Sequence, residues 1–341
     1  MMRICPMPRL AAGMALAAAM LVLGHQNSLG EEPNLALGQL PSIQIPAANA
    51  QFDAKVELGK LLFFDPRLSK DASISCASCH VPSAGFSDPR QFSIGVGGKQ
   101  GGRNAPPVIN AAYNHVQFWD GRAGSLEEQA LGPMQNPIEM ANTLDHAVKR
   151  LSKVKGYQTR FQAVFGHGVS ADGIAQAVAA FERTLISTNS AFDRHIAGDK
   201  SAMSEAAQRG LTLFQGKAKC VLCHNGPNFT DNKFHNIGVP QVGPLKEDLG
   251  RYNVTKRDAD RGAFKTPSLR SVALTAPYMH TGGLKTLDDV IEFYNKGGEA
   301  VQGKDAFMTA LTLTDQEKKD LVEFLKSLTG DLTNMKPPKL P

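Results

Sequence analysis

Cys76-Ala-Ser-Cys79-His80 and Cys220-Val-Leu-Cys223-His224 are two copies of one motif, and they decide the fold of this 341-residue chain. The spacing Cys-x-x-Cys-His is typical of covalent c-type haem attachment. The two thiols of a motif bond to the haem vinyl groups, and the histidine ligates the iron from one face. A single copy also suits a redox dithiol or half of a zinc site. Two copies that use four of the five cysteines favour two haems c.

The N-terminal segment has the pattern of a secretory signal. Two arginines come first, the apolar run Leu10 to Leu23 follows, and small and polar residues precede Glu31. Because this run is too short for a lasting membrane span, we expect residues 1–30 to be a cleaved signal peptide. An uncleaved anchor is the alternative. Cleavage removes Cys5, so we expect a periplasmic mature protein with no membrane span and no cysteine left for a disulfide.

Length and charge indicate the domain organisation and exclude one class of partner. The mature length of about 310 residues predicts two domains, one for each haem motif. We expect residues 46–195 to form the N-terminal haem domain and residues 196–335 the C-terminal one, with a linker from Phe192 to Ser204. Internal similarity beyond the two motifs is not evident. The net charge of +5 is too small to indicate a nucleic-acid partner.

Helical patterns dominate the rest of the chain. Ser170 can cap a helix over Ala171–Ile186, whose apolar residues recur at helical spacing. Thr314 and Glu317 form a capping-box pattern at the start of a helix that stops before Gly330. We therefore predict an all-α protein with two cytochrome c-like haem domains packed together.

Two Gly/Pro-rich stretches interrupt the helical patterns. They run from Gly95 to Pro107 and from Asn225 to Gly250, and they are too long for simple connections. Loops of this length commonly have a function of their own, so we expect these irregular loops to line the cofactors.

Several strings around the haem motifs resemble the bacterial dihaem cytochrome c peroxidases and their MauG relatives, and they occur in the family's order. They are Leu62-Phe-Phe-Asp-Pro-Arg-Leu-Ser69, Gln117-Phe-Trp-Asp-Gly-Arg-Ala123, Glu128-Gln-Ala-Leu-Gly-Pro133, Phe234-His-Asn-Ile-Gly-Val239, and Phe264-Lys-Thr-Pro-Ser-Leu-Arg270 with Ala276-Pro-Tyr-Met-His280. The resemblance extends over most of the chain after the signal segment. It implies that the His80 haem is the site of reaction with hydrogen peroxide and that the His224 haem transfers electrons.

The resemblance also implies roles for residues near the first haem. Family members place a tryptophan between the two haems, and the only tryptophan here, Trp119, lies in the matching string. A glutamine, a proline and a glutamate surround bound peroxide in the family, and they match Gln129, Pro133 and Glu139. A carboxylate at Glu139 suits the transfer of a proton from the near peroxide oxygen to the leaving one.

A calcium ion near the domain interface is a further implication of the resemblance. Its ligands are expected to be the Asn104 side chain and the backbone carbonyls of Thr275 and Pro277, completed by water. Such hard oxygen donors suit calcium. The residues alone do not indicate this site.

Two departures from the peroxidase pattern point to the MauG-like branch. Val96, in Ser93-Ile-Gly-Val-Gly97, stands where peroxidases have a histidine that caps the resting iron, and valine cannot ligate iron. Tyr294 aligns with the methionine that ligates the second haem in peroxidases. A phenolate is a harder donor than a thioether and should lower the potential of that haem. If the alignment is locally wrong, Met279 or Met308 is the alternative ligand.

We therefore expect a periplasmic dihaem enzyme that uses hydrogen peroxide at the His80 haem to oxidise a partner protein. One alternative is a cytochrome c peroxidase that takes electrons from a small cytochrome c or a cupredoxin. A second is a dihaem electron carrier without catalysis, although an open coordination site argues against it. We expect His280 to lie near the second haem or the domain interface. The other histidines outside the motifs have no spacing that marks a metal site; they are His115, His146, His167, His195 and His235.

Overall fold

The computed structural model describes residues 1–2, 36–332 and 336–341, so nearly all of the predicted signal peptide lies outside the described residues. Residues Leu35–Pro341 form one compact unit. Across the described residues, we find no helix with both the length and the apolar character needed to cross a bilayer.

The unit is mostly helical, which confirms the predicted fold class. The helices are α1 Asp53–Phe63, α2 Cys76–Cys79, α3 Leu126–Gln135, α4 Leu144–Leu151, α5 Lys155–Phe165, α6 Ala171–Glu182, α7 Ala191–Ile196, α8 Glu205–Gln215, α9 Tyr252–Thr255, α10 Leu287–Lys296 and α11 Asp315–Ser327. The strands β1 Phe234–His235 and β2 Phe264–Lys265 form a small antiparallel pair, with Phe234 opposite Lys265.

One hydrophobic core lies around the first haem motif. Helix α1 packs on α6, and Gly59 allows the close approach: a Cβ at this position would lie 1.8 Å from the Ala177 carbonyl oxygen. Phe63 and Phe181 are fully buried at this contact, with their ring centroids 5.2 Å apart. Helices α3, α4 and α5 complete the core with apolar residues such as Phe161.

A second core lies around the second haem motif and repeats this arrangement. Helix α8 packs on α11, and a Cβ at Gly210 would lie 2.0 Å from the Asp320 carbonyl oxygen. Phe214 and Phe324 are buried at this contact, 5.0 Å apart. In each half, a glycine and a phenylalanine four residues later on one helix meet a phenylalanine on the other. The internal similarity therefore extends beyond the haem motifs, contrary to our expectation from the sequence.

The two predicted helices are present, and the predicted linker needs correction. Ser170 caps α6 through its side chain, and α6 ends at Glu182, four residues earlier than predicted. The capping box of Thr314 and Glu317 is present at α11. However, Phe192 lies in α7 and is fully buried in the second core, so the segment that begins there is not a free linker. The apolar side chain at this position outweighs the polar residues around it.

Candidate functional site

Both haem-motif histidines are held in the same way. His80 follows the one-turn helix α2, and its Nδ1 lies 3.1 Å from the Phe86 carbonyl oxygen. His224 follows a 3₁₀ turn, and its Nδ1 lies 3.0 Å from the Phe229 carbonyl oxygen. Burial lowers the pKa of both imidazoles, which favours the neutral ring. A neutral ring that donates from Nδ1 has Nε2 available for a metal, which is the arrangement that haem ligation requires.

The repeat continues after each histidine. Phe86 and Phe229 both have positive φ angles, 53° and 52°, and an aspartate follows each of them two residues later. Asp88 forms a 2.8 Å ion pair with Arg90, and the second aspartate, Asp231, lies 2.9 Å from a histidine nitrogen. The string Phe-Ser/Thr-Asp follows both motifs, so an alignment continued past the two histidines reveals this repeat from the sequence alone.

The chemistry of the cysteines supports haem attachment over the two other possibilities. Burial raises the pKa of the Cys76 thiol, and it raises the pKa of the Cys220 thiol to about 12. Redox dithiols and zinc sites need thiolates, which such burial disfavours. The described cysteines form no disulfide with one another.

A large cavity lies beside the second motif. Its lining includes Cys220, His224 and Tyr294, and also parts of the two long loops, such as Pro107 and Ile237. The structure therefore places both loops on a wall of the cavity. Most of its lining residues are apolar or aromatic, as expected for a haem pocket.

Two polar side-chain groups in this wall have no hydrogen-bond or ion-pair partner among the described residues. The Nε2 atom of His280 is buried and forms no hydrogen bond among the described residues. Lys265 is 7% exposed, and its side chain forms no hydrogen bond or salt bridge with any described residue. Buried polar groups normally have partners, so these atoms indicate a polar ligand in the cavity. A haem, with its two carboxylates, fits an otherwise apolar cavity with such groups.

Three candidate axial ligands line this cavity. Tyr294 lies on α10, and among the described residues its hydroxyl has no hydrogen-bond partner. Burial raises its pKa, and the nearby thiols of Cys220 and Cys223 raise it further. Met279 and Met308 also line the cavity. The ligand role of Tyr294 stays a prediction.

The residues predicted to surround peroxide lie on α3 and in the turn that follows it. Gln129 and Pro133 are one helical turn apart on α3. The chain then turns at Asn136, whose Nδ2 donates to Glu139 Oε1 over 2.6 Å. Glu139 is close enough to the first motif to act electrostatically on the Cys79 thiol.

Glu139 also contacts the loop of Val96. The Val96 N–H donates to the Glu139 carbonyl oxygen over 2.8 Å, and a Cβ at Gly95 would lie 2.2 Å from the Ile138 carbonyl oxygen. Burial raises the pKa of the Glu139 carboxyl, although Arg122 and the Asn136 amide offset part of this effect. The site thus combines a valine that cannot ligate iron with a carboxyl group that keeps its proton to higher pH than usual.

Trp119 is bonded to segments from both halves of the chain. Its Nε1 donates to the Asn104 carbonyl oxygen over 2.9 Å, and its own carbonyl oxygen accepts from the Lys265 N–H over 2.8 Å. His280 lies edge-on to it at 6.3 Å between ring centroids, and Phe264 stacks on His280 at 3.6 Å. His280 therefore lies beside the second cavity, in the region where we expected it. The bridging role of Trp119 stays a prediction.

The predicted calcium ligands line the same cavity. Asn104, Thr275 and Pro277 all line it. The Asn104 Nδ2 donates to backbone carbonyls, including that of Arg90 at 3.0 Å. Among the described residues, no donor bonds the Asn104 Oδ1 or the carbonyl oxygens of Thr275 and Pro277. Oxygens without donors suit a hard cation, so these residues fit the predicted site.

Sequence analysis named His235 but did not find the partners of this half-buried histidine at the second cavity. His235 lies between Asp231, at 2.9 Å, and Asp305, at 2.5 Å. Asp231 first, then the Cys223 thiol and Asp305, raise its pKa to about 11. Ligand atoms of Cys223, Asp231 and His235 lie within 4.8 Å of one another. Because the Cys223 sulfur becomes a thioether on haem attachment, we interpret this group as an ion-pair network and not as a metal site.

Fold and site define a c-type cytochrome with two haem-binding motifs in two similar helical halves. Comparison with known proteins agrees. A family model described as di-haem cytochrome c peroxidase matches residues 53–201, and one described as cytochrome c matches residues 207–329. The methylamine utilization protein MauG of Methylorubrum extorquens is 43% identical over 302 residues, which are 88% of this chain and 85% of that protein.

A peroxidase is equally similar. The cytochrome c551 peroxidase of Nitrosomonas europaea is 43% identical over 303 residues, covering 88% of this chain and 87% of its own length. The crystal structure of a MauG-like protein associated with microbial copper homeostasis matches with a TM-score of 0.80 and 33% identity, over 86% of this chain and 94% of that one. This chain belongs to the dihaem cytochrome c peroxidase/MauG family. It is a peroxidase-type oxidoreductase with two haems c.

Proposed function

We propose that this protein is a periplasmic enzyme that reduces hydrogen peroxide at the His80 haem and obtains the two electrons by oxidising a partner protein, as MauG-like enzymes do. The observation that carries the proposal is the pair of residues at the two haems. Val96 stands at the peroxidatic site beside Glu139, and Tyr294 lines the second cavity. Sequence identity does not decide the branch, because relatives named MauG and cytochrome c peroxidase are equally similar.

The residues at the first haem suit peroxide chemistry. A bound haem would supply the iron centre at which one peroxide, two protons and two electrons from the partner give two waters. The Glu139 carboxylate accepts the proton of the near oxygen and delivers it to the leaving oxygen. Asn136 holds that carboxyl group in place through its 2.6 Å hydrogen bond. The Val96 side chain has no donor atom and so would not compete with peroxide for the iron.

The second cavity suits a haem of low potential. A tyrosine oxygen is a hard, anionic donor when bound to iron, and it stabilises ferric and more oxidised states relative to a thioether. Oxidising equivalents held there are available to a partner protein at the surface. The calcium ion that we propose at Asn104, Thr275 and Pro277 would hold the loops near Trp119, since all three ligands line the same cavity.

The alternative function is that of a cytochrome c peroxidase served by a small cytochrome c or a cupredoxin. The presence of Met279 and Met308 on the same cavity wall favours it, because a methionine ligand would give the second haem the high potential that electron entry requires. The electron carrier is the weakest candidate, because carriers keep both irons six-coordinate.

One set of spectra on the purified ferric holoprotein tests the proposal. We expect one high-spin, five-coordinate haem and one low-spin haem without the sulfur-to-iron charge-transfer band at the red end of the visible spectrum. Tyr294→Met should introduce that band and increase turnover with reduced cytochrome c as the donor. A band already present in the wild type, or spectra unchanged by the substitution, would assign the protein to the cytochrome c peroxidase branch.

The partner and the location need separate experiments. Periplasmic proteins of the source cell, incubated with the holoenzyme and peroxide, should show mass changes that are absent without peroxide. N-terminal sequencing of the protein recovered from the periplasm should start near residue 31. Recovery of the uncleaved chain from the membrane would contradict the predicted export signal.

A further inference from the structure

We propose that Lys265 is the cation that pairs with a carboxylate of the second haem and thereby raises the reduction potential of that haem. Lys265 is a positioning residue in this proposal, because it acts on the cofactor's substituent and not on the reacting atoms. The proposal depends only on the presence of the second haem and not on the choice between the two enzyme functions.

The first support is the position of the side chain. Lys265 lies in β2, and its backbone N–H is fixed by the Trp119 carbonyl oxygen at 2.8 Å. Lys265 lines the same cavity as His224 and Tyr294, and only 7% of the residue is exposed. A lysine so placed cannot reach bulk water in the way that surface lysines do.

The second support is the lack of an anion for this lysine in the protein itself. No described carboxylate forms a salt bridge with Lys265. Asp231 is the acid that acts on it electrostatically, but this carboxylate is already bound to His235 at 2.9 Å. Burial consequently lowers the pKa of Lys265 to about 8. An unpaired ammonium is costly to bury, so a lysine kept at such a site indicates that an anion arrives with the ligand.

The third support is a neighbouring atom that also lacks a partner. His280 is 3% exposed, its Nε2 forms no hydrogen bond among the described residues, and it lines the same cavity. Its ring therefore has a nitrogen available for a hydrogen bond to a ligand in the cavity. The wall offers one buried, unpaired cation and one unpartnered polar atom to a ligand that is otherwise apolar. The carboxylates are the strongly polar groups on the edge of a haem.

The consequence is electrostatic. A positive charge near the porphyrin disfavours the ferric state, which carries one more positive charge than the ferrous state, and so it raises the potential. Removal of the lysine charge also leaves the haem carboxylate unpaired, and its negative charge then stabilises ferric iron. Both effects have the same sign.

The test compares three variants of the holoprotein by spectroelectrochemical titration of each haem. Lys265→Met removes the charge and keeps the length, Lys265→Arg keeps the charge, and Lys233→Met removes an exposed lysine beside the neighbouring strand β1. We expect Lys265→Met to lower the midpoint potential of the second haem and to leave that of the first unchanged. Lys265→Arg should stay near the wild type, and Lys233→Met should have no effect.

Two results would overturn the proposal. One is an unchanged second potential in Lys265→Met with both haems attached. The other is an equal shift in Lys265→Met and Lys265→Arg, which would indicate a packing effect. If Lys265→Met does not retain the second haem, Lys265→Gln replaces it in the same titration. Haem loss from both neutral variants with retention in Lys265→Arg supports the proposal, whereas loss from all three refutes it.

Discussion

Replacing Glu139 by glutamine tests the proton-transfer role of this residue most directly. The change is nearly isosteric, and glutamine keeps an oxygen that can accept the 2.6 Å hydrogen bond from Asn136 Nδ2. The hydrogen bond from the Val96 N–H involves the backbone and is also kept. The variant therefore loses the ability to accept and return a proton, with little change in structure.

The expected magnitude follows from this role. A positioned acid/base group contributes about 10²- to 10⁴-fold to a rate, which corresponds to about 2.7 to 5.4 kcal/mol of activation free energy. Stopped-flow mixing of the ferric holoenzyme with hydrogen peroxide should show a loss in this range. Glu128→Gln is the matched control, because Glu128 lies on α3 but is exposed, and its side chain accepts only the Gly124 backbone N–H in the adjacent turn.

The pH profile gives an independent check. Because burial raises the pKa of Glu139 above the ordinary glutamate value of 4.5, the carboxylate that must accept the proton is lost at a higher pH than usual. The wild-type rate should thus fall as pH decreases through a midpoint above 4.5, and the Gln variant should lack this limb. A variant rate within about twofold of the wild type would remove Glu139 from the mechanism.

Three further predictions concern stability and metal binding. Gly59→Ala should reduce the free energy of unfolding by about 2 to 3 kcal/mol through overpacking of α1 on α6. The control, Gly168→Ala, places its Cβ in open space and should leave the stability unchanged. Equal melting temperatures for the two variants would contradict the packing argument. Asn104→Ala should lower the calcium content measured by elemental analysis, and an unchanged stoichiometry would place the ion elsewhere. His235→Gln should cost about 1 to 2 kcal/mol near pH 7. Asp231 and Asp305 raise the folded pKa of His235 above the reference value of 6.5, so its stabilisation is complete below 6.5 and is lost as pH rises through the raised pKa. A difference between wild type and variant that does not shrink at high pH would argue against this role.

Local signals in the sequence were sufficient for the haem motifs and for the ends of several helices. The caps at Ser170 and Thr314 depend on residues within three positions of each other, so sequence spacing alone reveals them. The end of α6 was predicted less well, because Leu185 is buried whether or not it is helical. Helical spacing of apolar residues indicates which positions are buried, but it does not determine the residue at which the helix ends.

Contacts between distant residues were beyond the reach of sequence patterns. His235 and Asp305 are 70 residues apart, and nothing near either one indicates the other. The lack of a partner for the Lys265 side chain also cannot be predicted from the sequence, because it depends on which residues folding brings to the cavity. The resemblance to a family supplied the calcium ligands, which no composition or spacing could have indicated. Residues whose partners are close in sequence can therefore be predicted, whereas residues whose partners are distant in sequence cannot.

The two halves of the protein differ where their chemistry should differ. Both have a glycine-mediated helix pair, a haem motif, and a histidine bonded to a phenylalanine carbonyl oxygen. These shared elements position two equivalent histidine ligands and by themselves would give two similar haem sites. The segments added to it are not equivalent: the first half adds α3 and the turn that carries Glu139, while the second adds α10 with Tyr294. A proton-transfer group beside one haem and a candidate oxygen ligand beside the other would divide peroxide reduction from the storage of oxidising equivalents. The different roles of the two haems would then come from these added segments, and not from the helix pair and motif that the two halves share.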